Sequence, residues 1–274
     1  MTGDQLMKSE KPLCAIKGAG DLATGVGICL FEADYPLIMT EISQPLVVRR
    51  AVSFAEAVFQ GEHIVCGIRS ILCSDLEQAR DVLRNGDIPV LVDPGFSVAS
   101  QFSPKIVIDA RMMKRFEPCP LDDQTMRVGL GPGFSAGQNC HAVIETNRGP
   151  ALGSIIWQGE AEKDTGIPGE VLGKTSERVY FAENEGVFTA LAEIGDILEP
   201  GQPIGSVGQK MILNRFKGIL RGCLHSGLAV VRGEKLADVD PRLDRQLVFM
   251  PSDKAICIGD AVVKAVSCWL SQYE

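Results

Sequence analysis

Short apolar runs recur along the first half of the chain, each leading through glycine or a polar turn into a stretch with helical spacing. The run over residues 13–16 passes through Lys17-Gly18-Ala19-Gly20 into Val26-Gly27-Ile28-Cys29-Leu30-Phe31, which reads as strand, turn and helix. A second strand, Pro36-Leu37-Ile38-Met39-Thr40, ends at Glu41. Ser53-Phe54-Ala55-Glu56 and Ser74-Asp75-Leu76-Glu77 have the capping-box spacing and predict helices that stop near Gly61 and at Asn85-Gly86. Between them Ile64-Val65-Cys66-Gly67-Ile68 reads as one strand. Further strands are predicted over residues 88–92, 106–108, 126–130 and 142–145, and each finishes in a polar or glycine-rich loop. That is how strands of an open parallel sheet end at the edge where ligands bind.

From Gly186 the pattern changes to short strand-like pieces and glycine turns, with an internal repeat of period 32. Gly186-Val187-Phe188 matches Gly218-Ile219-Leu220, Gly195 matches Gly227, Gly201 matches Gly233, Ile204 matches Leu236, and Val207 matches Val239. Residues 194–205 resemble the glycine-rich step of barrel-sandwich hybrid carriers, but Lys210 in the linking segment lies between Gln209 and Met211 and lacks the biotin-acceptor pattern. A last helix begins near Ser252-Asp253 and is apolar nearly all round, so it must be buried. The small β unit offers little to cover it, which predicts that the helix returns to the first domain. The expected fold is therefore α/β, a Rossmann-like mostly parallel sheet with an inserted small barrel-sandwich-hybrid-like unit. The expected boundaries are a disordered tail over 1–11, the Rossmann-like domain over 12–180, the β unit over 181–242, and the returning helix over 243–274.

Composition narrows the partners. The 274 residues carry a formal net charge of −8, which argues against nucleic acid or an anionic membrane as the main partner. The polar opening residues do not resemble a signal peptide, and no apolar run has the length of a membrane span. Nine scattered Cys without a C-x-x-C pair read as reduced thiols, and with these features they predict a cytoplasmic protein. Cys66, Cys73 and Cys140 are the thiols of first interest. Cys140-His141 suggests a metal ligand pair, but adjacent strand residues point to opposite faces, and no metal site is expected.

The chemistry concentrates at the first turn. Gly18 and Gly20 with Ala23 satisfy G-x-G-x-x-G/A, in which backbone amides and a helix N-terminus receive an anionic group. Asp21, Thr24 and Gly25 continue the turn into the helix, and Glu41 stands about 20 residues on, where the fingerprint places a ribose-binding carboxylate. Gln44 and the pair Arg49 and Arg50 follow that strand and offer a second anion contact. Asp93 and Asp109 end later strands at the same expected edge. A second glycine-rich loop over 131–137 marks close backbone approach or a mobile loop, and the polar stretch over 157–169 has the length of a lid or binding loop.

Gly18-Ala19-Gly20-Asp21-Leu22-Ala23-Thr24-Gly25, Met39-Thr40-Glu41-Ile42-Ser43-Gln44-Pro45, Arg49-Arg50-Ala51-Val52-Ser53-Phe54, the loop over 129–136, Glu160-Ala161-Glu162-Lys163-Asp164-Thr165-Gly166 and Asp238-Val239-Asp240-Pro241-Arg242 together resemble the YqeB family. That resemblance implies an accessory role in maturing a selenium-dependent molybdenum hydroxylase, with a nucleotide or molybdopterin derivative held at the sheet edge. It does not imply a reaction. XdhC-type Rossmann proteins are related by the same pathway. The expected partners are a small phosphate-bearing ligand and a molybdenum hydroxylase; a homo-oligomer is compatible with the sequence. Two other readings stand beside this one. An NAD-dependent oxidoreductase would use Glu41 to exclude a 2′-phosphate, but three Tyr and three His supply no telling proton-transfer pair. A non-catalytic scaffold would use the β unit to hold a hydroxylase.

Overall fold

The computed structural model describes residues 10–272 except 165, 167 and 168. Most of the expected tail, residues 1–9, lies outside the described residues, as do those three positions of the loop over 157–169. The chain forms two compact units, Met1–Ser43 with Ser53–Asp164 and Pro251–Glu274, and Gln44–Val52 with Thr165–Met250.

The first unit holds β1 (Cys14–Lys17), α1 (Asp21–Glu32), β2 (Leu37–Glu41), α2 (Ala57–Gln60), β3 (Glu62–Val65), β4 (Ile68–Cys73), α3 (Leu76–Asn85), β5 (Ile88–Val92), α4 (Val98–Phe102) and β6 (Ile106–Asp109). It continues with β7 (Met126–Leu130), β8 (Ser135–Ala136), β9 (Ala142–Ile144), β10 (Ile155–Ile156) and β11 (Gly159–Glu160), and closes with α5 (Asp253–Leu270). Nine strands make one sheet in the order β10-β9-β7-β6-β1-β2-β5-β4-β3. Its interior is parallel, but β3 and β10 run antiparallel at the two edges. The expected Rossmann-like, mostly parallel sheet is thus corrected to a large mixed sheet. Part of the reason is local: Cys66 and Gly67, both at positive φ (52° and 79°), form a two-residue turn that splits the single strand expected over 64–68 into the hairpin β3–β4. A two-residue connection permits only antiparallel pairing.

Strand alternation sorts the helices onto the two faces. Gly27 of α1 faces Leu37 and Met39, whereas Ile38 packs with Ala79 and Val82 of α3 and Val98 of α4. On the α1 face α5 packs along α1 and reaches β7, β9 and β10. The two helices meet backbone to backbone: a Cβ on Gly25 would stand 2.6 Å from the Ala255 carbonyl oxygen, and one on Gly259 2.7 Å from the Gly25 oxygen. The starts of α3 and α5 are capped by side chains, Asp75 accepting from the Gln78 amide and Ser252 from the Ala255 amide.

The second unit contains β12 (Val179–Phe181), β13 (Gly186–Ala190), β14 (Ile197–Leu198), β15 (Pro203–Val207), β16 (Lys210–Leu213), β17 (Gly218–Cys223), β18 (Ala229–Val230) and β19 (Lys235–Asp240). Two four-stranded sheets, β12-β19-β17-β14 and β16-β15-β13-β18, replace the expected barrel-sandwich-hybrid-like insertion. The repeat maps onto β13/β17, β14/β18 and β15/β19, but β14 pairs with β17 and β18 with β13, so the copies exchange strands. β12 and β16 stand at the same spacing, residues 179–181 against 211–213, so the two sheets have one strand order under the repeat; the exchange of strands between copies is a long-range pairing that the periodicity does not show. The unit also takes in Val48, whose carbonyl accepts from the Cys223 amide at 2.8 Å and whose side chain joins a core around Tyr180, Phe188 and Leu220.

Candidate functional site

At the carboxyl edge of the large sheet the first turn is held by its own neighbours. Gly18, at φ +93°, donates to the Thr40 carbonyl (2.8 Å). The Ala19 amide donates to Glu41 Oε2 at 2.9 Å, and the Ile42 amide donates to Glu41 Oε1 at 2.8 Å. Both oxygens of the carboxylate expected to meet a ribose are therefore engaged by backbone, one of them by the turn itself. Thr24 is buried; its hydroxyl donates to the Ala19 carbonyl and accepts from the Phe54 amide (2.8 Å). Ala23 is buried in α1, and Gly25 forms the crossing with α5. Gly20 is the N-terminal cap of α1, with no side-chain partner, and Asp21 lies in its first turn. Asp21 also helps to offset the burial that lowers the ammonium pKa of Lys254 at the start of α5, a lowering to which Arg148 adds.

The remaining expected residues separate. Asp93 Oδ2 accepts from the Val98 amide at 2.8 Å and so serves the start of α4. Gln44, exposed, and Arg49 and Arg50 belong to the second unit. Arg49 donates to the carbonyls of Val248 and Met250, and Arg50 Nε to that of Cys223 (3.0 Å). Both guanidinium groups thus hold backbone in that unit.

Asp109 leads to a different constellation. β1 lies between β2 and β6, and the chain order reverses between β1 and β6, whose last residues Lys17 and Asp109 are paired in register. In open sheets ligands bind outside the carboxyl ends of the strands at such a reversal. Here a cavity of about 120 Å³ is lined by Lys17, Asp109, Arg111, Arg115, Glu117 and Arg127, backed by Val107, Val128, Met113, Phe134 and Cys140. Arg111 folds back on Asp109 with Nε and Nη2 at 2.9 and 2.6 Å, and Arg115 approaches Glu117 at 3.4 Å. That leaves two cations. Lys17 Nζ makes no hydrogen bond among the described residues; it lies 3.9 Å from Asp109 Oδ2 and 4.6 Å from the centre of the Phe96 ring. Arg127 Nε is buried without a hydrogen-bond partner.

Burial lowers the Lys17 pKa, Asp109 pulls it back up, and Arg111 and Arg127 press it down again. The Arg127 backbone is fixed by its amide donating to His141 Nδ1 at 2.9 Å, and burial pushes the His141 pKa down, keeping that nitrogen an acceptor. Burial pushes the Cys140 thiol up to about 12, which leaves it protonated and unreactive near neutrality. Among the described residues no group of three or more His, Cys, Asp or Glu is placed to hold a metal ion.

Lys17 and Arg127 stand outside the glycine fingerprint, yet both carry a signal in the sequence. Each is a cation inside or at the end of an otherwise apolar strand, CAIK and MRVGL, a place where charge is costly without a purpose.

These features define an α/β protein whose mixed sheet carries an electropositive cavity at the reversal of its strand order. No protein-family model matches the chain. The chain is similar to the uncharacterized protein YqeB of Escherichia coli (strain K12), at 40% identity over 274 residues, 98% of this chain and 51% of that protein. The chain spans about half the length of this curated relative. Among solved structures it is similar to an aspartoacylase family protein from Mesorhizobium loti (13% identity, 85% of this chain and 86% of that one, TM-score 0.29). It is also similar to a succinylglutamate desuccinylase/aspartoacylase from Rhodobacter sphaeroides (13% identity, 83% and 85%, TM-score 0.26). At these TM-scores the fold stands as its own strand order describes it. Among the described residues no helix is long and apolar enough to cross a membrane.

Proposed function

We propose that the chain binds a phosphate-bearing small molecule in the cavity lined by residues of β1, β6 and β7. In this reading it is an accessory protein that holds a nucleotide or molybdopterin-type cofactor, or its precursor, for maturation of a selenium-dependent molybdenum hydroxylase. The supporting observation is the pairing of Lys17, without a hydrogen bond among the described residues, and the partnerless buried Nε of Arg127 on one cavity. A buried donor without a partner costs about 1–3 kcal/mol, and an anion accepting from it offsets that cost. The cavity fits the phosphate of such a molecule and not its ring system, which would extend outside it; small-molecule sites typically enclose roughly 300–1,000 Å³. A molybdopterin or nucleotide supplies its own chemistry; this chain's part is to anchor one anionic end. The test is calorimetry with inorganic phosphate, nucleotides and molybdopterin derivatives on the full chain. Binding that is lost in Arg127→Gln is the expected result, and absence of binding by every member of the panel overturns the reading.

The scaffold reading has one observation in its favour. In the second unit Phe181, Met211 and Leu213 are each nearly half exposed along a hollow of about 140 Å³, an apolar strip suited to a protein partner. Loss of hydroxylase capture by Met211→Glu, with capture intact in Arg127→Gln, would support the scaffold reading.

A further inference from the structure

We propose that the cavity at Lys17 and Arg127 selects a terminal phosphate monoester, carried as a dianion, over the bridging diester phosphates of a dinucleotide. The inference rests on the anion-binding reading above and narrows its ligand class.

Charge comes first. Arg111 is committed to Asp109 and also approaches Glu117 at 3.5 Å, and Arg115, at the mouth with 78% of its side chain exposed, leans on Glu117. The cations left without a carboxylate in hydrogen-bond reach are Lys17 and Arg127. Two surplus positive charges match a monoester, which carries about −1.5 to −2 near neutrality because its second pKa is about 6. Each phosphate of a dinucleotide bridge carries one negative charge, so the single phosphate that a cavity of about 120 Å³ admits would leave one of them uncompensated.

Size and shape agree. The cavity of about 120 Å³ is well below the roughly 300–1,000 Å³ that encloses a whole small molecule, and suits a group the size of one phosphate. Its back is apolar, built from Val107, Val128, Phe134 and the protonated Cys140. A monoester enters with three free oxygens and leaves its single substituent at the mouth. A bridging phosphate has substituents on two sides and would have to push one into that apolar wall.

Donor geometry supports the same choice. Arg127, the second residue of β7, is paired with Val107, two residues before the Asp109↔Gly129 pair and so on the same face of the sheet, while Lys17 pairs with Asp109 from the other neighbour of β6. The ammonium and the guanidinium therefore approach the cavity from strands on opposite sides of β6, and a dianion between them accepts from both.

The experiment is calorimetry on the full chain with inorganic phosphate, AMP, NAD and NADP, the last two differing by one monoester phosphate. Inorganic phosphate, AMP and NADP are expected to bind, with NAD at least about 30-fold weaker than NADP. Lys17→Gln and Arg127→Gln, checked by circular dichroism and melting temperature for an unchanged fold, each weaken AMP by about 10-fold or more, the effect of one charge-assisted hydrogen bond. AMP affinity also falls between pH 7.5 and pH 5 as the monoester loses its second charge. NAD binding equal to NADP, and lost in Arg127→Gln, overturns the monoester preference while the anion-binding reading stands. AMP binding unchanged in both variants overturns the placement at this cavity, and no binding of any of the four overturns the monoester preference, while the wider panel above decides the anion-binding reading.

Discussion

Two Asp-x-Arg steps end strands in different units of this protein, and their local geometry is nearly the same. At the end of β6, Arg111 reaches back to Asp109 with Nε–Oδ1 at 2.9 Å and Nη2–Oδ2 at 2.6 Å. At the end of β19, Arg242 does the same to Asp240, at 2.9 and 2.6 Å. The surroundings differ. Asp240 is 1% exposed and stands in a buried network with Arg221 and Asp238, the latter held by Arg178 at 3.2 Å. Burial works against ionisation of Asp240, but the hydrogen bonds and charge of Arg242, with the charge of Arg221, outweigh it and hold its carboxyl below the usual range. Asp109 opens instead on the cavity that Lys17 and Arg127 line. One motif thus closes a structural network in the second unit and forms one wall of a candidate binding site in the first. What separates them is the charge that the fold brings alongside, not the motif.

The largest effect should come from breaking the closed copy. Asp240→Asn leaves the cations of a buried network short of a carboxylate, and a cost of about 3–5 kcal/mol is expected in denaturant unfolding of the second unit. A cost under about 1 kcal/mol would mean that the network is solvated after all.

The pH dependence sharpens the same contrast. The His141 pKa is lowered in the folded first unit, so the unfolded state binds more protons, and stability falls as pH drops through and below the ordinary value of 6.5. The Asp240 pKa is lowered from 3.8, so its contribution is present above that value and is lost only as pH falls further. Both tryptophans, Trp157 and Trp269, lie in the first unit. Their fluorescence should therefore report a decline in stability beginning near pH 6, while hydrogen exchange of β17 and β19 holds until below about pH 4. Simultaneous loss would couple the two units and refute the assignment.

Asp109→Asn is the counterpart of the first substitution and should cost less, about 1–2 kcal/mol, because the cavity beside Asp109 lets water solvate the cations that lose it, Arg111 at 37% side-chain exposure and Lys17 at 22%. It should also tighten phosphate binding a few-fold, which titration calorimetry reads directly. The smallest effect on stability is expected for Arg127→Met, within about 1 kcal/mol by thermal melting, since it removes a donor that has no partner. A large loss there would give Arg127 a structural role and weaken the case for a ligand.

Much of the first unit was legible in local pattern. The βαβ opening, the helix stop at Asn85-Gly86 and the start of α5 at Ser252 follow from apolar spacing and capping residues. The Cys66-Gly67 hairpin escaped because Cys is not among the residues that usually announce a two-residue turn. At the site, the turn over 18–25 drew attention because glycine spacing is conspicuous, yet Glu41 closes on that turn and Gly25 serves helix packing. Arg49 and Arg50 looked available because no sequence rule says which carbonyls will surround a guanidinium.

By itself the sequence determined the alternation of strand and helix, the carboxyl-edge position of Glu41, Asp93 and Asp109, and the repeat of period 32, because periodicity, caps and turn residues act over a few positions. Only the tertiary structure decided that β6 inserts beside β1, bringing Lys17 level with Asp109 and Val107 level with Arg127. Two surplus cations around one small cavity are a product of that long-range register. Coulomb energy depends on distances between groups that lie far apart along the chain, and local pattern does not encode those distances.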